Sequence, residues 1–280
     1  MSIQSSSVLV NLNINTWTAR KLDKKVSEEV DADKGARTRA GNYHKKLFAG
    51  TKRLDKILAH TTAVRLWNYT NTLPWNEGGD RILPMKNFFD YKKQLNEMEQ
   101  DFWTLVDEFI AEYNTLVTAA AFQLGDLFNP NDYPSVSEVR SKFGFRYHFS
   151  PVPDSGDFRV DAGNEELDEL KKQYDEAYKN KLEAAMKDMW DRLHECLGLI
   201  SRRIGECPDG KGLRDSMIEN AGELCGMLTK LNVTNDPRLE DARKRLEAAL
   251  CGVSGADLRE DADVRNTVKQ RVDEIMEMFG

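Results

Sequence analysis

The sequence predicts a mainly α protein: an elongated antiparallel helical bundle built on two long helices, with a small antiparallel β-sheet at one end. Apolar residues recur at spacings of three and four along most of the chain, which is typical of amphipathic helices. Two of these runs, at about residues 88–124 and 164–204, are predicted to pair lengthwise, because helices of about 60 Å exceed the width of a globular core. Two other segments alternate apolar and polar residues, as strands do.

The N-terminal part is predicted to form one strand and two helices. Residues 8–14 alternate in period two, which is the pattern of a half-buried strand. Spacings of three and four then predict a helix from residues 16–18 to 33–35 and a second helix over about residues 38–70. The segment LPWNEGGDRILP (73–84) contains two prolines and a glycine pair, so it is predicted to be a turn that connects this helix to the first long one.

The later elements carry clear helix-start signals. Ser135 and Glu138 have the spacing of a capping box for a short helix that ends near Lys142. Asn164 is predicted to cap the second long helix, and Asp236 is predicted to cap a later one, with proline at the first helical position. Shorter helices are predicted at about residues 213–231, 237–250 and 257–279.

The segment KFGFRYHFSPVPDSGDFRV (142–160) has aromatic residues at every second position and allows two interpretations. It could be a stacking platform for nucleotide bases, or the buried face of a strand that packs on helices. An RNA-recognition strand needs glycine, aliphatic and aromatic residues where Lys142, Arg146 and His148 stand, so the buried face is favoured. This strand is then predicted to pair with a second arm through Phe158 and Val160 and with the N-terminal strand, while Arg146 and His148 face solvent. The aromatic residues are Phe143, Phe145, Tyr147 and Phe149.

Composition excludes several classes of protein. The net charge of −7 argues against a general affinity for nucleic acid. No apolar run approaches the roughly 20 residues of a membrane span, and the N-terminus lacks the features of a signal peptide. The four cysteines have irregular spacing without a CxxC pair, and are expected to be reduced thiols of a cytoplasmic protein.

No catalytic, cofactor or metal site is predicted. The four histidines are isolated from one another, acidic clusters lack a neighbouring histidine, and no GxSxG, HExxH or phosphate-binding loop occurs. We therefore expect a protein that is not an enzyme and holds no cofactor.

Charge is distributed unevenly along the chain. Residues 16–60 contain 12 Lys/Arg against 6 Asp/Glu, a difference of +6, whereas residues 161–280 contain 19 against 27, a difference of −8. Such asymmetry can orient a partner or let copies associate head to tail, although two solvated faces would show it as well. The residues of the candidate interaction surface are Arg20, Lys21, Lys24, Lys25, Trp75, Arg81, Arg146 and His148.

The chain resembles a phage-associated protein family of unknown function over about residues 8–160. Its opening motif, LNI-x-x-W-[ST]-[AG]-R-K, is similar to residues 12–21, and its later motif, S-x-x-x-V-R-x-x-F-x-F, is similar to residues 135–145. The matched residues are Leu12, Asn13, Ile14, Trp17, Thr18, Ala19, Arg20, Lys21, Ser135, Val139, Arg140, Phe143 and Phe145. Genes of this family often lie beside a MoxR-type AAA+ ATPase and a CobT-like protein with a von Willebrand A domain. The resemblance implies a phage or prophage origin and a role as accessory to such an ATPase, and it carries over no catalytic residue.

The expected organisation is one elongated domain, residues 1–280, with a family-like part (8–160) and an acidic C-terminal helical part (161–280). The expected function is a non-enzymatic binding or assembly protein in the cytoplasm of an infected bacterial cell. We expect a homo-oligomer whose partner is an AAA+ ATPase or a host protein rather than nucleic acid or a membrane. Two alternatives stay open: a single-stranded nucleic-acid-binding protein, and a phage factor that counters a host defence system.

Overall fold

The computed structural model describes residues 3–153 and 164–279. With 67 % helix and a small antiparallel sheet, it confirms the mainly α class. The lengthwise pairing of the two long helices stays a prediction. The helices are α1 (Ile3–Ser6), α2 (Lys24–Asp33), α3 (Arg53–Asn71), α4 (Phe88–Leu124), α5 (Val136–Ser141), α6 (Asn164–Glu206), α7 (Ser216–Leu231), α8 (Pro237–Leu250), α9 (Gly255–Glu260) and α10 (Ala262–Phe279). The strands are β1 (Ser7–Asn15), β2 (Arg20–Asp23), β3 (Tyr43–Lys46), β4 (Leu73–Pro74), β5 (Asp80–Pro84) and β6 (Gly144–Pro151).

The chain folds into two compact units, each assembled from separate segments. Unit 1 comprises Met1–Asn11, Trp67–Tyr91 and His148–Gly280, and unit 2 comprises Leu12–Leu66 and Lys92–Tyr147. This division does not follow the predicted boundary at residue 160. The single-domain organisation stays a prediction.

The four-stranded sheet has the order β4-β5-β1-β6. Residues 73–84, predicted to be a simple connector between helices, instead form the β4–β5 hairpin, and β5 runs antiparallel to β1. Pro74 and Pro84 are tolerated because they lie at the last positions of their strands, and Gly79 supplies the turn with φ +90. The predicted neighbourhood of β6 and β1 is confirmed. The predicted second arm, with Phe158 and Val160, lies outside the described residues.

Two of the N-terminal helix predictions were wrong in their starting points. Residues 20–23 form β2, which pairs antiparallel with residues 43–46 of β3. The first part of each predicted helix therefore contains a strand. α2 begins only at Lys24, because the side chain of Asp23 accepts the N–H of Val26 and thereby caps the helix. α3 likewise begins at Arg53 rather than near residue 38.

Unit 1 has its core around α6. This helix contacts α7 and α10, and α10 in turn contacts α8. The largest side chains that are fully buried there are Leu73, Ile82, Leu83, Met189, Leu193, Leu197, Ile200 and Leu228. The predicted helix over residues 257–279 is in fact two helices, α9 and α10, because Asp261 ends α9 and accepts the N–H groups of Asp263 and Val264. The predicted cap of α8 by Asp236 is confirmed.

Unit 2 has an aromatic core centred on Phe48. Its ring centroid lies 5.5–5.8 Å from those of Trp17, Phe109, Tyr113 and Tyr133. Edge-to-face contacts of this kind add to the stabilisation that comes from the buried apolar area.

The aromatic residues around β6 pack inward, which confirms the interpretation of this segment as the buried face of a strand. In unit 2, Phe143 and Phe145 are both 5 % exposed and contact Phe109 and Phe102 of α4. Tyr147 is half-buried and donates to Asn96 Oδ1 at 2.6 Å. In unit 1, the ring of Phe149 contacts Phe88 at 4.9 Å. The predicted exposure of Arg146 and His148 is confirmed as well.

The four thiols are expected to react at different rates. Cys225 is buried and Cys196 is half-buried, and burial raises the pKa of both to about 11. The reactive thiolate is therefore scarce at mildly alkaline pH, whereas Cys251 is exposed. Ellman's reagent should label Cys251 quickly in the native protein, and label Cys196 and Cys225 only slowly until urea is added. Cys251→Ser, the control, should abolish the fast phase. Rapid labelling of all four thiols in the folded protein would contradict this packing.

Candidate functional site

β2, β3 and the first two residues of α2 form a segment rich in cations, which we call the basic ribbon (residues 20–25 and 43–46). In β2, Arg20 and Lys21 point to opposite faces, and Lys21 stands opposite Lys45. The structure brings together here the four cations predicted near the N-terminus, Arg20, Lys21, Lys24 and Lys25, and all four are exposed. In the antiparallel register Arg20 stands opposite Lys46, so two cations lie side by side across the strands. Like charges in this position repel each other, which indicates a surface suited to an anionic partner.

The inner face of the basic ribbon is fixed by Lys45, which is only 6 % exposed. Its Nζ lies 3.2 Å from Asp23 Oδ2 and 2.9 Å from Asp132 Oδ2, and donates to the carbonyl of Leu127 at 2.7 Å. Burial disfavours the charge of Lys45, but Asp132 and Asp23 outweigh it and raise the pKa of the ammonium group. Lys45 thus ties β3 to Asp23 and to the segment of residues 127–132.

A groove of about 170 Å³ lies beside the basic ribbon. Its walls include Ala19, Phe48 and Leu54, which are buried and apolar, and Arg20 and Lys46 also line it. Asp55 and the half-buried Leu58 of α3 lie on the helical side. An apolar floor with cations at its rim can accept an apolar side chain that is flanked by carboxylates.

The other four predicted surface residues do not belong to the basic ribbon. Trp75 is 5 % exposed and packs edge-on against Tyr178, with Lys181 Nζ 5.4 Å from its ring centroid. Its burial removes it from the predicted surface, and it anchors the β4–β5 hairpin to α6. Arg146 and His148 lie on the exposed side of β6.

Arg81 has a structural task at the C-terminal end of α3. Its guanidinium donates to Thr72 Oγ1 at 2.6 Å and to the Thr72 carbonyl at 2.9 Å, and stacks over the ring of Tyr69. Arg192 of α6 donates to the carbonyls of Tyr69 and Thr72 at 2.8 and 3.2 Å. Burial, together with the neighbouring Arg192, lowers the pKa of Arg81. The two arginines satisfy helix-terminal carbonyls that would otherwise lack donors.

Lys46, Phe48 and Leu54 belong to the site but were not predicted from the sequence. The available signal was the pair Lys45–Lys46, since in a strand these two side chains point to opposite faces. The helical spacing of apolar residues over about residues 38–70 obscures this alternation.

Residues 3–153 and 164–279 show no metal-binding group of three or more histidine, cysteine or acidic side chains. Within the same residues, no helix combines the length and apolar character that a membrane span requires. No protein family model matches the chain, and the comparisons with curated proteins and with solved structures gave no match.

Proposed function

We propose that the chain is a non-enzymatic binding or assembly protein that docks an acidic protein segment on the basic ribbon. The observation that carries this proposal is the cross-strand pair Arg20–Lys46 at the rim of a groove with an apolar floor. Opposite charges steer association, and an apolar anchor side chain in the groove would slow dissociation. The buried cation Lys45 holds this surface in one conformation, which lowers the entropic cost of binding.

The resemblance to the phage-associated family supports the identity of the partner. On that basis we propose a phage-encoded protein that acts in the cytoplasm of an infected bacterium as accessory to a MoxR-type AAA+ ATPase. The acidic C-terminal part of a second copy offers a further acidic surface, which supports the proposed homo-oligomer.

The test is co-purification with the MoxR-type ATPase encoded in the same genome, followed by light scattering. Lys24→Glu with Lys25→Glu should weaken the complex, because both lysines are exposed on the basic ribbon. Lys92→Glu with Lys93→Glu is the matched control, since it reverses two adjacent, exposed lysines on α4. Equal binding by both variants would contradict a role for the ribbon, and the absence of any complex with wild-type protein would contradict the proposed partner.

The second candidate is single-stranded nucleic acid, which the charge of the basic ribbon favours. The aromatic residues around β6 do not offer a stacking platform for such a ligand, because Phe143 and Phe145 are buried and cannot stack with bases. We expect no retention of a labelled oligothymidine at physiological salt, measured by fluorescence anisotropy. Micromolar binding that falls steeply with salt, and falls again in the Lys24→Glu, Lys25→Glu variant, would establish this second candidate instead.

A further inference from the structure

A cavity of about 300 Å³ lies in unit 1, between the C-terminal part of α6 and the segment that leads into α7. It is independent of the basic ribbon. Its apolar lining consists of Leu199, Leu213 and Met217. Arg203 and Arg214 also line it, and Asn220 adds an amide. A volume of this size is at the lower limit of ligand-binding pockets, which are mostly apolar with a few polar groups that orient the ligand.

The wall that carries Leu213 and Arg214 is held rigidly from behind by α9. Gly210 has φ +76 and passes so close to the backbone of Arg259 that a Cβ atom would lie 2.2 Å from its carbonyl oxygen. Gly255 also approaches Asp215 closely, since a Cβ atom there would lie 2.8 Å from the Asp215 Cα. Only glycine fits at both contacts. The segment is therefore pinned at residues 210 and 215, on either side of the two cavity residues.

Hydrogen bonds from two arginines reinforce this support. The guanidinium of Arg265, 6 % exposed, donates to the carbonyls of Pro208, Leu258 and Arg259 at 2.8–3.1 Å. Arg259 donates to the carbonyl of Leu213 at 3.3 Å. The backbone on this side of the cavity is thus tied to α9 and α10 by close contacts and hydrogen bonds.

The two cations of the cavity are available to an anion. Arg214 has no ion-pair partner among residues 3–153 and 164–279, because the adjacent carboxylate of Asp215 is engaged by Arg259 at 3.2 Å. Arg203 pairs with Glu206 at 3.5 Å, but both side chains are more than half exposed, so this ion pair is weak and exchangeable.

We infer that this cavity binds a small carboxylic acid with an apolar body. The guanidinium groups present paired N–H donors that match the two oxygens of a carboxylate. The apolar body takes the place of water against Leu199, Leu213 and Met217. An uncharged ligand would form no ion pair with the two arginines. A small anion without an apolar body would leave the apolar lining in contact with water.

The probe is octanoate, with octanamide and acetate as matched compounds that lack the charge or the chain. Binding to the full chain is measured by saturation-transfer NMR and calorimetry. Octanoate should bind, whereas octanamide should bind at least about tenfold more weakly, the size expected for the loss of charge-assisted hydrogen bonds. Acetate should not bind measurably. Equal binding of octanoate and octanamide, or no binding of octanoate at millimolar concentration, would overturn the inference.

Variants then locate the site. Arg214→Gln and Arg203→Gln should each weaken octanoate binding by about tenfold, and Leu199→Glu should abolish it by placing a carboxylate at the mouth. Arg202→Gln is the control, because Arg202 neighbours Arg203 and is exposed, but does not line the cavity. All four side chains are exposed, so the variants should melt like wild type. Unchanged affinity in both cavity arginine variants would place the octanoate elsewhere and refute the site.

Discussion

Phe145→Ala should lower the free energy of unfolding by about 3–5 kcal/mol, the usual effect of truncating a buried aromatic side chain. The ring of Phe145 is 5 % exposed and lies 5.6 Å from that of Phe102, which has no exposed surface. Its removal would open a cavity between β6 and α4 that the neighbouring side chains fill only in part. The loss is a large fraction of a typical stability of about 5–15 kcal/mol.

Urea melts of Phe145→Ala and Arg146→Ala beside wild type measure this effect. Arg146 is the adjacent residue of the same strand and its side chain is exposed, so Arg146→Ala should change stability by less than about 0.5 kcal/mol. A base-stacking platform would give a different result, because truncating an exposed ring leaves the melt unchanged. If Phe145→Ala and Arg146→Ala melt alike, β6 does not pack as described.

Lys45→Met should also be strongly destabilising, by about 3–5 kcal/mol, because it breaks a buried ion pair by removing one partner. Asp23 and Asp132 would keep their charges but lose the ammonium group that compensates them. Lys46→Met is the matched control, since Lys46 is the next residue in β3 and is exposed. Urea melts should therefore separate two substitutions that are identical in chemistry and one residue apart.

A triple variant, Lys45→Met with Asp23→Asn and Asp132→Asn, should recover part of the lost stability. It removes the uncompensated charges together with the cation, and such exchanges are much less costly than breaking a pair. A triple variant less stable than Lys45→Met would contradict the described network.

The free energy of unfolding should depend on pH, and this dependence should be weaker in Lys45→Met than in wild type. The N–H of Val26 and the ammonium of Lys45 lower the pKa of Asp23. The stability from this carboxylate is present above its unfolded value of about 3.9 and is lost as pH falls through the lowered pKa. The raised pKa of Lys45 gives stability that is present below its unfolded value of about 10.4 and is lost as pH rises through the folded pKa. The gap between wild type and Lys45→Met should thus narrow in acid and in strong alkali.

The strands show which parts of the fold can be predicted from local sequence patterns. The alternation of aromatic residues around β6 could not arise on one face of a helix, so its inward packing could be predicted. β2 has only four residues and one apolar side chain, Leu22. Its partner strand β3 lies about twenty residues later in the chain, so the pairing leaves no signal in the local sequence. Ala19, Leu22 and Val26 also happen to have helical spacing, so local periodicity favoured the wrong element.

The candidate sites were predictable only in part for the same reason. The charge excess of residues 16–60 indicated a basic surface, and it is indeed where Arg20, Lys21, Lys24 and Lys25 gather. Tertiary packing, which no periodicity encodes, placed Lys46 and Phe48 beside them. The cavity of unit 1 is lined by Leu199 of α6 and Met217 of α7, which tertiary packing brings to the same cavity, so no local motif predicts it.

The interleaving of the two units along the chain determines how the protein can fold as it is synthesised. Unit 2 has all its residues once Tyr147 has left the ribosome, so its local contacts can form early. Unit 1 joins the first part of β1, up to Asn11, to helices that follow residue 164, so its formation closes a loop of more than a hundred residues. Until α6 has been synthesised, the apolar residues of β1 and of the β4–β5 hairpin that share its core have no helix to cover them. Exposed apolar surface of this kind favours aggregation, so we expect the chain to be vulnerable in this interval.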